Sequence, residues 1–250
     1  MAGRKNGLDR EARARMRSLV ERFTMPPHLA RLVATGDRGL SDALLDMQRT
    51  EVAERLLAEA KIGGQEASLV RLGRLTPDEA QFRKRLREHK NNPGYAISRL
   101  GGLLEEDVVL ATLGGRRVQG RLTGLEPFEV TLETADGAST LAKHDLKLAF
   151  LGAHRKRLVK RGITWGDLEA RLEPGDLKLR ANRRDIKARD LLLAMEGERL
   201  VTWITAEDDR LRGRVTGFNR FEVVLETTQG TEALLFRHAF GGMDLGAPGG

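Results

Sequence analysis

The sequence has no cysteine, which excludes disulfide bonds, thiolate metal sites and cysteine nucleophiles. Aromatic residues make up only 4% of the chain, so any core must consist mainly of Leu, Val and Ala. No run approaches the length of about 18 apolar residues that a membrane-spanning helix needs, and the first residues lack the apolar segment of a signal peptide. We therefore expect a soluble, cytoplasmic protein.

Signatures of catalysis are also missing. The chain contains no phosphate-binding loop, no nucleophile elbow and no dinucleotide fingerprint, because its glycine-rich stretches fall on strand-like patterns and not at strand-to-helix turns. The histidines do not have the spacing of metal ligands; they are His28, His89, His144, His154 and His238. We therefore predict no enzymatic activity, no cofactor and no metal site.

Charge is abundant. Charged residues form 32% of the chain, and the formal net charge is +7 at pH 7. A surplus of Lys and Arg favours association with a polyanion, because neutralising phosphates releases counterions. Nucleic acid is the partner that this balance predicts.

Apolar residues in residues 1–92 recur with helical spacing and predict four helices. The first lies before Pro26 and Pro27, and the second ends near Gly36. The third is expected to begin at Ser41 and to end at Gly63-Gly64, and the fourth to begin after Thr76. The last helix carries a cationic surface formed by Arg83, Lys84, Arg85 and Arg87.

A long motif occurs twice. Residues 120–146 read "GRLTGLEPFEVTLETADGASTLAKHDL", and residues 213–240 read "GRVTGFNRFEVVLETTQGTEALLFRHAF". In each copy a glycine, Gly120 or Gly213, interrupts a strand-like alternation and permits a sharp bend. Short repeats with a strongly bent sheet favour small barrels. We predict an α+β fold in which the helical region precedes two SH3-like barrels, each preceded by a short α-helix.

The predicted boundaries follow from this pattern. Residues 93–152 form the first barrel domain, 153–182 a basic connector, 183–243 the second barrel domain and 244–250 a flexible tail. The connector contains a run of basic residues, namely Arg155, Lys156, Arg157, Lys160 and Arg161. Such a run is either an RNA-contacting surface or a solvated face.

The repeats resemble the Sm-like bacterial RNA-chaperone family of Hfq. Phe218-Asn219-Arg220-Phe221 takes the place of the family's Phe-Asp-x-Phe turn, and Phe236-Arg237-His238 that of its Tyr-Lys-His segment. The first copy is more degenerate, with Leu125-Glu126-Pro127-Phe128 and Ala142-Lys143-His144. The resemblance covers less than half of the chain and implies nothing about residues 1–92.

In that family six Sm folds close a ring through pairing of edge strands. A chain with two such folds is therefore expected to form a homotrimer, with a monomer or a stack of rings as the alternatives. The resemblance implies U-binding pockets in which a base stacks on the second Phe of each turn and the basic residue and His contact it. The implied residues are Phe218, Arg220, Phe221, Phe236, Arg237 and His238, and Phe128, Lys143 and His144. In the simpler alternative each Phe fills a barrel core.

The family's A-rich RNA site is doubtful here. Its Tyr position falls near Ala111 and Ile204, and the adjoining segment keeps only Arg117, Gln119 and Arg210 as suggestive residues. The family's arginine rim is replaced by acidic stretches, so the basic connector and the cationic helix are the candidate substitutes.

Two functions remain open. The first is an RNA chaperone that binds single-stranded U-rich RNA, such as small RNAs or mRNAs, in post-transcriptional regulation. The second is a scaffold of the nucleoid or ribosome that binds DNA or RNA without sequence preference.

Overall fold

A computed structural model of the chain describes residues 8–167 and 171–245, apart from the side chain of Arg161. The chain divides into two compact units, residues 1–88 and 89–250, which we call the helical unit and the sheet unit. Among the described residues, no helix is both long enough and apolar enough to span a membrane.

The described part of the helical unit consists of α-helices. They are α1 (Arg10–Phe23), α2 (Pro27–Ala34), α3 (Leu40–Ala58), α4 (Gly64–Arg71) and α5 (Pro77–Asn91), whose last residues enter the sheet unit. The predicted start at Thr76 is confirmed by a reciprocal capping box. Thr76 Oγ1 accepts a hydrogen bond from the Glu79 N–H at 3.2 Å, and Glu79 Oε2 accepts one from the Thr76 N–H at 3.0 Å.

The predicted third helix is wrong in two respects. Ser41 lies inside α3, because Gly39 has the extended backbone that caps this helix. The helix also ends at Ala58, and a separate helix, α4, begins where the sequence predicted a stop. Gly63 adopts extended dihedral angles (φ −96°, ψ 171°) and serves as the N-cap of α4. Glycine occurs at the N-caps of helices as well as just beyond their C-termini, and here Gly63-Gly64 lies at the start of α4.

The helical unit contains a repeat that the sequence pattern did not reveal to us. α4 begins 37 residues after α2, and α5 begins 37 residues after α3. The same spacing relates buried core residues in the two halves, namely Leu19 and Leu56, Met25 and Ile62, Ala30 and Ala67, Val33 and Val70, and Ala43 and Ala80. Gly36 and Gly73 both have positive φ angles, 80° and 65°, at the equivalent turn. The unit is therefore built as a tandem helical repeat.

The sheet unit contains two blocks of five strands in one continuous antiparallel sheet. The first block is β1 (Asp107–Thr112), β2 (Arg117–Leu125), β3 (Glu129–Thr134), β4 (Gly137–Ala142) and β5 (Leu146–Leu151). The second is β7 (Leu200–Thr205), β8 (Arg210–Phe218), β9 (Glu222–Thr227), β10 (Glu232–Phe236) and β11 (Phe240–Leu245), and β6 (Ile163–Thr164) pairs with β8.

The strand order is β11-β7-β8-β9-β10-β5-β1-β2-β3-β4. The α+β class is confirmed, but the sheet is open at β4 and β11, so two separately closed barrels are not seen. The blocks join where β10 pairs with β5, through Leu234 opposite Ala149 and Leu235 opposite Leu148. Each block repeats the order fifth, first, second, third, fourth strand.

The close backbone approach predicted at the glycine of each second strand is present in both blocks. A Cβ on Gly120 would lie 2.4 Å from the Glu133 carbonyl oxygen, and one on Gly213 would lie 2.3 Å from that of Glu226. Both strands also carry a register shift just after this glycine. The backbones approach too closely for any side chain, which explains why both copies contain glycine.

The segments before the two blocks differ. The second block is preceded by the predicted helix, α7 (Ala188–Glu196). The first is preceded only by short 3₁₀ segments, Pro93–Tyr95 and Arg99–Leu103. The predicted α-helix is absent there because proline and several glycines disfavour it.

The connector belongs to the sheet unit. It holds α6 (Arg155–Arg157), a π-turn (Leu158–Gly162), β6 and the 3₁₀ segments Asp176–Lys178 and Arg180–Asn182. The predicted flexible tail is wrong for residues 244–245, which lie in β11, and its residues 246–250 lie outside the described part of the chain.

Candidate nucleic-acid interface

The turn between β8 and β9 is organised by Asn219, which is fully buried. Asn219 Oδ1 accepts hydrogen bonds at 2.7 Å from the N–H groups of Phe221 and Glu222. Its amide nitrogen donates to the Ile97 carbonyl at 2.7 Å and to Glu222 Oε2 at 2.8 Å. All polar groups of the side chain are therefore used, and the turn has one conformation.

The segment before β1 holds this turn from the other side. The Arg220 N–H donates to the Tyr95 carbonyl at 2.9 Å, and Glu222 accepts hydrogen bonds from Ser98 Oγ and the Arg99 N–H. Phe218 is only 2% exposed, and its ring centroid lies 4.2 Å from that of His89. The expected RNA contact by Phe218 is therefore replaced by a core role, and the same burial applies to Phe236.

Phe221 has a different environment, since 48% of the residue is exposed. The guanidinium carbon of Arg220 lies 5.7 Å from the centroid of its ring. The ring borders a cavity of about 340 Å³, which we call the Phe221 pocket. The pocket is lined by Arg180, Arg183, Asp185, Ile186, Arg220, Phe221, Arg237 and His238. An exposed aromatic face among guanidinium groups suits a base and its phosphate.

The guanidinium of Arg237 shapes the pocket by donating hydrogen bonds to backbone carbonyl groups. Its Nη1 donates to the carbonyls of Asn219 at 2.9 Å and Arg220 at 3.3 Å, and its Nη2 donates to the Ile186 carbonyl at 2.6 Å. These bonds commit the guanidinium to holding the turn against Ile186, in the segment that precedes α7. We therefore assign Arg237 as a positioning residue, in place of the expected direct contact with RNA.

His238 supplies a neutral imidazole to the pocket wall. Burial lowers the pKa of His238 to about 4, and the positive charge of Arg183 adds to this effect. Its Nε2 atom is buried and has no hydrogen-bond partner among the described residues. The ring bonds the backbone of Leu146, whose N–H already donates to Lys143, so Nδ1–H donates to the Leu146 carbonyl. This bond selects the tautomer in which Nε2 is an acceptor.

The corresponding residues of the first block are arranged differently. Phe128 is 80% exposed, and the backbone N–H of Lys143 donates to its carbonyl at 2.8 Å. Burial lowers the pKa of Lys143, and the nearby charges of Glu222 and Glu126 oppose that effect. His144 Nε2 lies 3.5 Å from Asp145 Oδ1. Acidic neighbours therefore surround the cation and the histidine of this copy.

The residues suggested for an A-rich site are held by other side chains. Gln119 accepts a hydrogen bond from Arg155 Nη1 at 2.6 Å and donates to Asp107 Oδ2 at 2.9 Å. The guanidinium of Arg117 lies 4.7 Å from the Trp165 ring centroid, and Arg210 pairs with Asp208 at 3.1 Å.

The basic run of the connector is largely solvent-facing. Lys156, Arg157 and Lys160 are exposed, whereas Arg155 is tied to Gln119. The side chain of Arg161 lies outside the described part of the chain. Exposure leaves these lysines and arginine accessible to a polyanion but does not bring them into the Phe221 pocket.

A buried ionic cluster joins the two blocks and the connector. Lys147 of β5 is fully buried, and its Nζ lies 2.5 Å from both Glu207 Oε2 and Asp209 Oδ2. Arg171 Nη1 contacts the same two carboxylates at 3.0 and 3.1 Å. Burial raises the pKa of Glu207, but hydrogen bonds from Lys147, Leu172 and Gly114 outweigh it and lower that pKa overall. Nothing in the sequence pattern pairs residues so far apart.

The described residues contain no group of three or more His, Asp or Glu side chains placed to hold a metal ion. In comparisons with known proteins, no family model matches the chain and no curated protein is significantly similar to it. The functional case therefore rests on the geometry of the Phe221 pocket and on the repeated strand order.

Proposed function

We propose that this protein binds single-stranded U-rich RNA and acts as an Hfq-like RNA chaperone in post-transcriptional regulation. The observation that carries the proposal is the half-exposed Phe221 ring, which borders a cavity that is also lined by arginines and His238. Stacking of a base on an aromatic ring contributes about 1–3 kcal/mol. The resemblance of the turn and of the basic residue–His pair to the U-binding Sm-like family favours uracil as the base.

The open edges of the sheet support a ring of three chains with six Sm-like blocks. By strand order, β4 corresponds to β10 and β11 corresponds to β5. Transferring the register of the β10–β5 junction pairs Thr140 with Met243 and Leu141 with Gly242 between neighbouring chains. Such pairing would satisfy two edges that otherwise invite uncontrolled association.

Oligonucleotide titration tests the RNA proposal. We expect six-nucleotide oligo-U to bind more tightly than oligo-C, oligo-A and duplex DNA in fluorescence anisotropy at fixed salt. Phe221→Ala should weaken oligo-U binding by about 5- to 150-fold, the equivalent of the stacking energy. Phe128→Ala is the matched control and should have a much smaller effect. Equal binding of all four ligands, unchanged by Phe221→Ala, would contradict the proposal.

Disulfide cross-linking tests the ring. Because the sequence has no cysteine, only introduced cysteines can form the cross-link. Under mild oxidation, Thr140→Cys with Met243→Cys should give covalent species up to trimers. Ser139→Cys with Met243→Cys is the control, since a shift of one residue directs the side chain to the opposite face. Light scattering of the unmodified protein should give the mass of three chains, and a single-chain mass would rule the ring out.

The charge of the helical unit supports the alternative function, a nucleic-acid-binding scaffold. Residues 1–88 contain 18 of the 43 Lys and Arg residues but only 13 of the 36 Asp and Glu residues. This surplus suits a nucleoid- or ribosome-associated scaffold that binds nucleic acid without sequence preference. Similar, steeply salt-dependent binding of all four ligands would favour it.

A further inference from the structure

We propose that Arg180 of the connector and Arg183, which follows the connector, form a subsite for a terminal phosphate monoester, so that the Phe221 pocket binds a phosphorylated RNA end. The inference rests on the proposed function and adds a ligand group that the sequence resemblance does not supply. Both residues lie outside the two repeated motifs and line the pocket.

Charge is unbalanced around this cavity. Four guanidinium groups line the pocket, from Arg180, Arg183, Arg220 and Arg237, against the single carboxylate of Asp185. Asp185 is itself mostly exposed and lies 3.5 Å from Arg180. The surplus of positive charge suits a phosphate monoester, which carries about −1.5 to −2 charges at pH 7, better than a diester with one.

Arg183 is already oriented for such a ligand. Its Nε donates to the Leu177 carbonyl and its Nη2 donates to the Lys178 carbonyl at 3.0 Å, which fixes the guanidinium plane. Its Nη1 has no recorded protein acceptor in the described part of the chain, nor does Arg183 pair with a carboxylate there. Arg183 and His238 line the same pocket, and the positive charge of Arg183 contributes to the lowered pKa of His238. A phosphate here would be adjacent to the stacked base.

The cavity is large enough for a single nucleotide. A volume of about 340 Å³ is at the lower end of ligand pockets, which span about 300–1,000 Å³. The first block has no equivalent subsite, because Lys143 and His144 face Glu126, Glu222 and Asp145.

The test compares three six-nucleotide oligo-U probes: one with a 3′-phosphate, one with a 5′-phosphate, and one with hydroxyl groups at both ends. We expect one phosphorylated probe to bind about tenfold more tightly than the hydroxyl probe at equal salt, as charge-assisted hydrogen bonds predict. The probe that gains identifies which end the pocket accepts. Arg180→Gln with Arg183→Gln should reduce this ratio to near one, and the exposed Arg212→Gln is the charge-matched control.

The readout is a ratio of affinities within one variant, which a smaller folded fraction leaves unchanged, and Arg180→Gln alone, which keeps the bonds of Arg183 to Leu177 and Lys178, should already lower it. Equal binding of the three probes, with Phe221→Ala still weakening all of them, would overturn the phosphate subsite and leave the RNA proposal standing. A preference that survives in the double variant would also overturn the subsite. Absence of any effect of Phe221→Ala would instead overturn the RNA proposal.

Discussion

The two blocks of the sheet share their strand order and the close approach of the second strand to the third at a glycine, yet they differ at the turn between these two strands. In the second block, Asn219 fixes the backbone and Phe221 borders a basic cavity. In the first, Glu126 is exposed at the matching position, and Phe128 projects into solvent. The comparison teaches that the sheet tolerates divergence that the pocket does not, because strand pairing uses backbone groups whereas the pocket needs particular side chains.

The β10–β5 junction within the chain also differs from the junction that β4 and β11 would form between chains. Between the blocks, Lys147 of β5 pairs with Glu207 and Asp209. At the free edge, Gly241 of β11 occupies the position that corresponds to Lys147. An association of chains through β4 and β11 would therefore lack the ionic cluster, and we expect it to be weaker than the junction within the chain.

Breaking the ionic cluster should have the largest effect. Lys147→Met leaves two carboxylates buried beside an apolar chain, and we expect it to lower the free energy of unfolding by about 3–5 kcal/mol. Urea denaturation measures this loss. Adding Asp209→Asn should restore much of it, because Arg171 and Glu207 then remain as a balanced ion pair. A loss below about 1 kcal/mol for Lys147→Met would show that the cluster does not hold the junction.

Lowering the pH should selectively weaken the second block. The folded-state pKa of His238, about 4, lies below the ordinary value of about 6.5. The unfolded chain therefore binds more protons between these values, so this stabilisation is complete above about pH 6.5 and is lost as the pH falls towards 4. The loss at this site is on the order of 3 kcal/mol.

Comparing His238→Gln with the unsubstituted protein isolates this contribution. The difference in free energy of unfolding between the two proteins should change across pH 4–7. A control, His28→Gln in the helical unit, replaces an exposed histidine and should leave the pH dependence unaltered. A constant difference for His238→Gln would show that its ring does not titrate as the structure indicates.

Removing the side chain of Asn219, which fixes the turn between β8 and β9, should have the smallest of the three effects. Asn219→Ala leaves two N–H groups and a carbonyl without their partner, and we expect it to cost about 2 kcal/mol. Glu126→Ala at the equivalent exposed position should change stability by less than about 0.5 kcal/mol. Thermal unfolding of both variants checks the difference, and equal losses would mean that the two turns are built alike.

Local features were predictable where one residue governs the backbone. The helix start after Thr76 and the close backbone approach at Gly120 and Gly213 depend on near neighbours or on the absence of a side chain, and these predictions are confirmed. The break between α3 and α4 was not predicted, because a glycine pair is compatible with either end of a helix. The 37-residue helical repeat was not predicted, because its matching core positions are few and widely spaced in the sequence.

The sequence by itself determined the doubling of the strand pattern, the close backbone approach at the glycine of each second strand and the basic charge, because these follow from residue type and short spacing. Only the tertiary structure decided that the strands form one open sheet, that Arg237 binds backbone carbonyl groups, and that Arg180 of the connector lines the Phe221 pocket. Each of these depends on contacts between residues distant in the chain. Burial and pairing at such contacts then determine what a side chain can do.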